Sequence, residues 1–138
     1  MSEPEGQAAP AKPRPRVAGF RFSVVDGCAI ALCGLGVWGL WDLLDTFVWI
    51  LPFALGHFFL FCNVFRVRRN YELIWAALFL ANFAAWFLID FNWVGVLAVQ
   101  APVTCLAIGA EMRSKRYHGI FSARLNPDLE AWVEGRSP

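Results

Sequence analysis

Apolar residues run along the chain in four blocks, at about residues 24–41, 47–65, 73–89 and 93–110, interrupted at "DLLDT", "RVRRN" and "DFN". Each block holds 17 to 19 residues, which at about 1.5 Å per residue just crosses a hydrocarbon core of about 30 Å. The pattern predicts an all-α membrane protein with four short transmembrane helices in an antiparallel bundle, joined by tight hairpins. Local start signals agree with it. Ser23 and Asp26 form an S-x-x-D capping box before the first block, and Asp45, Asn70 and Asn92 stand as candidate caps before the other three.

Composition strengthens this reading, because 58% hydrophobic residues against 17% charged and a mean hydropathy of +0.49 leave too little polar surface to coat a water-soluble globule. Charge then sets orientation. All 12 Lys and Arg residues fall on one side of the predicted bundle: Lys12, Arg14, Arg16 and Arg21 before the first helix, Arg66, Arg68 and Arg69 between the second and third, and Arg113, Lys115, Arg116, Arg124 and Arg136 after the fourth. The positive-inside rule makes that side cytoplasmic, with Arg66, Arg68, Arg69, Arg113, Lys115 and Arg116 as its anchor. The opposite side carries Asp42, Asp45 and Asp90 among Trp41, Trp49, Trp86 and Trp93, an aromatic belt. Both termini are expected in the cytoplasm, of a bacterial inner membrane.

Three regions follow. Residues 1–22 read as a retained, extended polar arm, too acidic and too far from the first apolar block for a cleaved leader. Residues 23–111 form the transmembrane domain. Residues 112–138 form an amphipathic tail in which basic and aromatic residues alternate; Asn126 and Pro127 then open a short helix with Leu129, Trp132 and Val133 on one side, fit for the membrane surface or a partner protein.

A polar layer crosses the middle. Counted from the acidic end, His57, Asn82 and Gln100 lie at depths of roughly 15, 10 and 10 Å, with Thr104 one turn beyond Gln100. The first reading has them hydrogen-bonding across helices to fix the bundle, because lipid offers no other partner. The second makes His57 an axial ligand to a haem or chlorophyll-type pigment. The third lines an oligomeric channel with Asn82, Gln100 and Thr104. His118 lies beyond the basic end, so one chain does not supply two axial histidines.

Other chemistry finds little footing. Cys28, Cys33, Cys62 and Cys105 contain no C-x-x-C pair and read as small buried hydrophobes. Gly34, Gly36 and Gly39 lie inside the first helix, where with Ala29 and Cys33 they suit close packing. No nucleophile has a histidine nearby in sequence, no glycine-rich phosphate loop is present, and a net charge of +1 argues against nucleic acid. The motif W-x-L-[LI]-D recurs as "WDLLD" and "WFLID", 45 residues apart, which two hairpins crossing the same interface explain. The expectation is a small non-catalytic subunit that packs into and stabilises a larger membrane complex.

Overall fold

The computed structural model describes residues 16–134. Of these 77% are helical and none lies in a strand. In chain order the elements are α1 (Val24–Leu44), a 3-10 segment (Asp45–Trp49), α2 (Ile50–Phe59), a π segment (Leu60–Phe65), α3 (Arg69–Ile89), α4 (Trp93–Met112), and the short α5 (Ser122–Leu125) and α6 (Leu129–Val133). Three helical segments are long and apolar enough to cross a membrane: Val24–Phe65, Arg69–Ile89 and Trp93–Met112, each containing an 18-residue stretch with a mean hydropathy of 1.8, 1.8 and 1.7 respectively.

The first segment contains two of the predicted blocks in one uninterrupted helical run of 42 residues, which drawn straight would measure about 63 Å. It is not straight. Asp45 has φ 47° and ψ −127°, a turn conformation that aspartate tolerates better than most residues, and its N–H bonds the Trp41 carbonyl. Past this point the chain folds back along itself. The Trp41 and Trp49 rings lie 6.1 Å apart, those of Phe22 and Phe59 5.8 Å, and the Arg21 N–H reaches the Asn63 carbonyl at 3.2 Å.

Two of the capping assignments need correction, and two are present. Asp45 ends α1 and makes the turn instead of capping the next helix. Asn70 sits inside the first turn of α3, whose N-cap is Arg68 with no side-chain bond; the extended Arg68 backbone offers its carbonyl to the N–H groups of Tyr71 and Glu72, so the helix starts without an Asx cap. The Ser23–Asp26 box is complete: the Asp26 carboxylate accepts from the Ser23 N–H at 2.7 Å, and the Ser23 hydroxyl accepts from the Asp26 N–H. Asn92 caps α4, accepting from the Val94 N–H at 2.8 Å.

Burial is uneven. α4 buries Val96, Gln100, Thr104, Ala107 and Glu111, a stripe at steps of three and four. α3 buries Trp75 and Phe79, and the π segment buries Phe61 and Asn63. α1 buries nothing. Its small residues meet α2, with a Cβ at Gly36 falling 3.4 Å from Leu51 and Cys33 and Gly34 lining the groove between the two helices. Trp38, by contrast, stands 83% exposed.

All four cysteines are free, but Cys28 and Cys105 are exposed and Cys33 and Cys62 only half-buried, so the buried placement expected of them does not hold. An apolar surface that faces lipid has no need to bury its small hydrophobes.

Candidate functional site

The Nδ1 of His57 lies 2.9 Å from the carbonyl of Phe53, one turn back on its own helix. A carbonyl only accepts, so Nδ1 is the donor here, and in the tautomer protonated at Nδ1 alone the lone pair lies on Nε2. The ring stacks on Trp75 at 4.6 Å and 20° and meets Phe53 at 4.3 Å. Trp75 is nearly parallel to Phe79, at 5.5 Å and 6°. His57 therefore belongs to an aromatic stack between α2 and α3.

Asn82, Gln100 and Thr104 fasten α3 to α4. Asn82 donates its amide to the Val96 carbonyl at 2.9 Å, and Gln100 donates to the Trp75 carbonyl at 3.3 Å. The Trp75 indole N–H donates to the Thr104 hydroxyl at 2.8 Å, which itself donates to the Gln100 carbonyl at 3.0 Å. Such ties matter in an apolar surround because an unmade bond there has no water to replace it. Gln100 is fully buried, and its Oε1 has no hydrogen-bonding partner. The polar level foreseen from the sequence thus divides: three members join α3 to α4, while His57 bonds within its own helix.

The basic end forms a second polar cluster. Arg68 donates through Nε to Glu111 at 2.9 Å and through its backbone N–H to the same carboxylate oxygen at 3.3 Å. That hydrogen bond, with the charge of Glu111, raises the arginine pKa further above its ordinary value. Arg66 adopts φ 50° and donates to the Val17 carbonyl; burial, and then the charge of Arg21, lowers its pKa. Arg69, Arg113, Lys115 and Arg116 are exposed. Lys12, Arg14 and Arg136 lie outside the described residues.

Beneath this cluster the tail folds against the helix ends. Tyr117 is completely buried, donates its hydroxyl to the Ile120 carbonyl at 2.6 Å and accepts at its own carbonyl from Asn126 at 2.9 Å. Burial, helped by the charge of Glu111, raises its phenol pKa. The Ile120 N–H reaches the Val64 carbonyl at 2.9 Å. Gly119 allows this approach, since a Cβ there would stand 2.5 Å from the Phe65 oxygen. The arm closes the cluster: Gly19 N–H bonds the His118 carbonyl, Arg16 N–H bonds the Val133 carbonyl, and Trp132 stacks on His118 at 4.3 Å beneath the Arg16 guanidinium. The amphipathic face foreseen in the tail is half-buried against the arm, and its helix α6 has only 5 residues.

Sequence reasoning missed Glu111, Tyr117, Gly119 and Trp75 as organising residues. Glu111 carried one signal, since Gln100, Thr104 and Glu111 share a face at spacings of four and seven. Among the described residues no group of three or more His, Cys, Asp or Glu side chains is placed to hold a metal ion.

The fold and these clusters define an all-helical chain with three segments apolar enough to cross a membrane, the make-up of an integral membrane protein. No protein-family model, curated protein or solved structure matches it.

Proposed function

We propose that the chain is a small non-catalytic subunit of a larger membrane complex, with four antiparallel membrane spans and both termini in the cytoplasm of a bacterial cell. The reversal at Asp45 supports four spans: the bond from Arg21 to Asn63 brings the start and end of the 42-residue run together, as two limbs that each cross once would be. The concentration of arginine and lysine at that end supports the orientation.

The observation that carries the subunit reading is the exposure of α1, which buries none of its 21 residues and presents Leu32, Leu35 and Trp38 outward. Tryptophan in an apolar surround is a common anchor at interfaces between chains. A helix from another membrane subunit fits that face. Asn82, Gln100 and Thr104, in contrast, each make a hydrogen bond within the chain, although Gln100 Oε1 finds no partner among the described residues. That gives less support to a channel lined by Asn82, Gln100 and Thr104. The lone pair on His57 Nε2 suits a haem or pigment ligand, but Trp75 and Phe53 pack against its ring.

The test is native mass spectrometry of the chain excised from its own membrane in polymer-bounded lipid discs. Stoichiometric unlike polypeptides are the expected result, and a chain found alone or only with copies of itself would refute the proposal. A visible chromophore in the same discs, lost in both His57→Gln and His57→Leu, would move the assignment to the cofactor reading.

A further inference from the structure

Between α3 and α4, toward the basic end, lies an open groove of about 330 Å³ lined by Tyr71, Ile74, Trp75, Leu78, Val103, Leu106, Ala107 and Ala110. On each helix the lining steps at i, i+3, i+4 and i+7, so the groove follows one face of both for about 10 Å. Its walls are apolar and its floor is shallow, because Ala107 and Ala110 leave room that larger residues would fill. At its basic end the guanidinium of Arg68 lies over the Tyr71 ring, 5.1 Å from the centroid, and donates to the Tyr71 hydroxyl at 3.4 Å. Arg113, the residue that caps the end of α4, follows Ala110 by three positions with a helical backbone, a spacing that sets it one turn beyond the groove on that side of the helix.

The charges at the mouth do not cancel. Arg68 is neutralised by Glu111, and Glu72 lines a different pocket with Arg69 and Cys62. Arg113 is exposed, and among the described residues only its backbone N–H is bonded. Arg113 is therefore an exposed cation without an acidic partner among the described residues, one turn beyond the apolar slot.

We infer that this groove binds an anionic glycerophospholipid, one acyl chain lying along Tyr71 to Leu78 and Val103 to Ala110 and the phosphodiester meeting Arg113. The apolar length fits a hydrocarbon tail, and the unneutralised charge of Arg113 fits an anionic headgroup better than a zwitterionic one, which carries its own balancing ammonium. The inference rests on α3 and α4 spanning the bilayer with their basic ends at the headgroups. It is independent of the subunit reading.

The test uses the purified full chain in mixed micelles with equimolar phosphatidylglycerol and phosphatidylcholine, read by native mass spectrometry. The expected result is one retained phosphatidylglycerol, preferred about fivefold over phosphatidylcholine, the selectivity one basic side chain gives near an anionic surface. Arg113→Gln, which removes a side chain with no partner among the described residues, should bring the two lipids to parity. Ala110→Phe, at an exposed position, should remove the retained lipid of either kind. Equal retention of the two lipids by the unaltered chain would overturn the inference, as would an undiminished preference in Arg113→Gln. Retention that survives Ala110→Phe, or a groove filled by another polypeptide in native discs, would place the lipid elsewhere and overturn it equally. Because the readout is lipid mass, a negative result leaves the search for protein partners untouched.

Discussion

The limbs of the first helical run and the α3–α4 pair carry the same W-x-L-[LI]-D signature at their acidic ends, yet they are held together by different physics. Between α3 and α4 the closures are polar: Asn82 to Val96, Gln100 to Trp75, Trp75 to Thr104 and Arg68 to Glu111. Between α1 and α2 they are apolar, made by small residues at Gly36 and by the ring pairs Trp41–Trp49 and Phe22–Phe59. The turns differ as well. Asp45 bends the run with a positive φ, whereas Asp90 is extended, φ −167°, and hands over to the Asn92 cap. Without buried polar groups α1 is tied to the rest of the chain by small residues and rings alone, which leaves its outer face, Trp38 included, open to a partner helix. A shared motif therefore does not imply shared packing, and the polar inventory decides which helices are locked.

The sharpest way to break this contrast is to remove its strongest tie. Arg68→Ala leaves Glu111, 1% exposed, with only a backbone donor. The expected loss is about 2 to 3 kcal/mol, somewhat less than for a fully buried pair because Arg68 is half exposed. Reversible unfolding in bicelles measures it, and a loss near zero would remove Glu111 from the account.

A smaller effect separates the two helix pairs by glycine. A Cβ at Gly95 would overlap the Trp86 ring, while one at Gly34 meets nothing within 4 Å. Gly95→Ala should then cost about 1 to 2 kcal/mol, and Gly34→Ala should leave the midpoint unchanged in the same experiment. Equal effects would show the two pairs to be packed alike.

His57 gives the next smaller difference. Its bond runs to Phe53 on its own helix, so neither substitute orphans a group on another helix. Both His57→Leu and His57→Gln should lose only the stacking on Trp75, about 1 kcal/mol. A leucine variant much worse than the glutamine one would restore a cross-helix hydrogen bond to the picture.

The smallest effect concerns pH. Tyr117 has a folded-state pKa raised from its ordinary 10.0, so the folded chain holds the phenol proton where the unfolded chain has released it. The stability this contributes is complete below pH 10 and falls as pH rises past it. In a Tyr71→Phe background the remaining phenol should ionise above pH 10 by ultraviolet titration, together with release of the tail. Ionisation at 10 with the tail still packed would contradict the burial.

Local signals were legible and directional ones were not. The Ser23 box and the Asn92 cap depend on residues three or fewer apart, and both formed. The basic cluster was visible as charge, but its pairing was not, because Arg68 and Glu111 are 43 residues apart and meet only once α3 packs on α4. His57 was assigned partners by depth. Depth follows from 1.5 Å per residue, whereas the direction around the helix axis, shifted further by the π segment at Leu60–Phe65, decides what a side chain faces. The tail reads as fit for the membrane surface or a partner protein, and its packing against the helix ends and the arm stays hidden because the close approach at Gly119 leaves no mark in hydrophobic periodicity.

The central claim is that α1 is the face offered to another membrane protein while the α3–α4 pair is closed on itself. Photocrosslinking in the native membrane tests it most directly, with the probe placed at Leu35 on α1 in one variant and at Leu88 on α3 in another, both exposed. The account predicts a discrete adduct with an unlike polypeptide from Leu35 and lipid adducts alone from Leu88. Lipid adducts alone from both positions would contradict it.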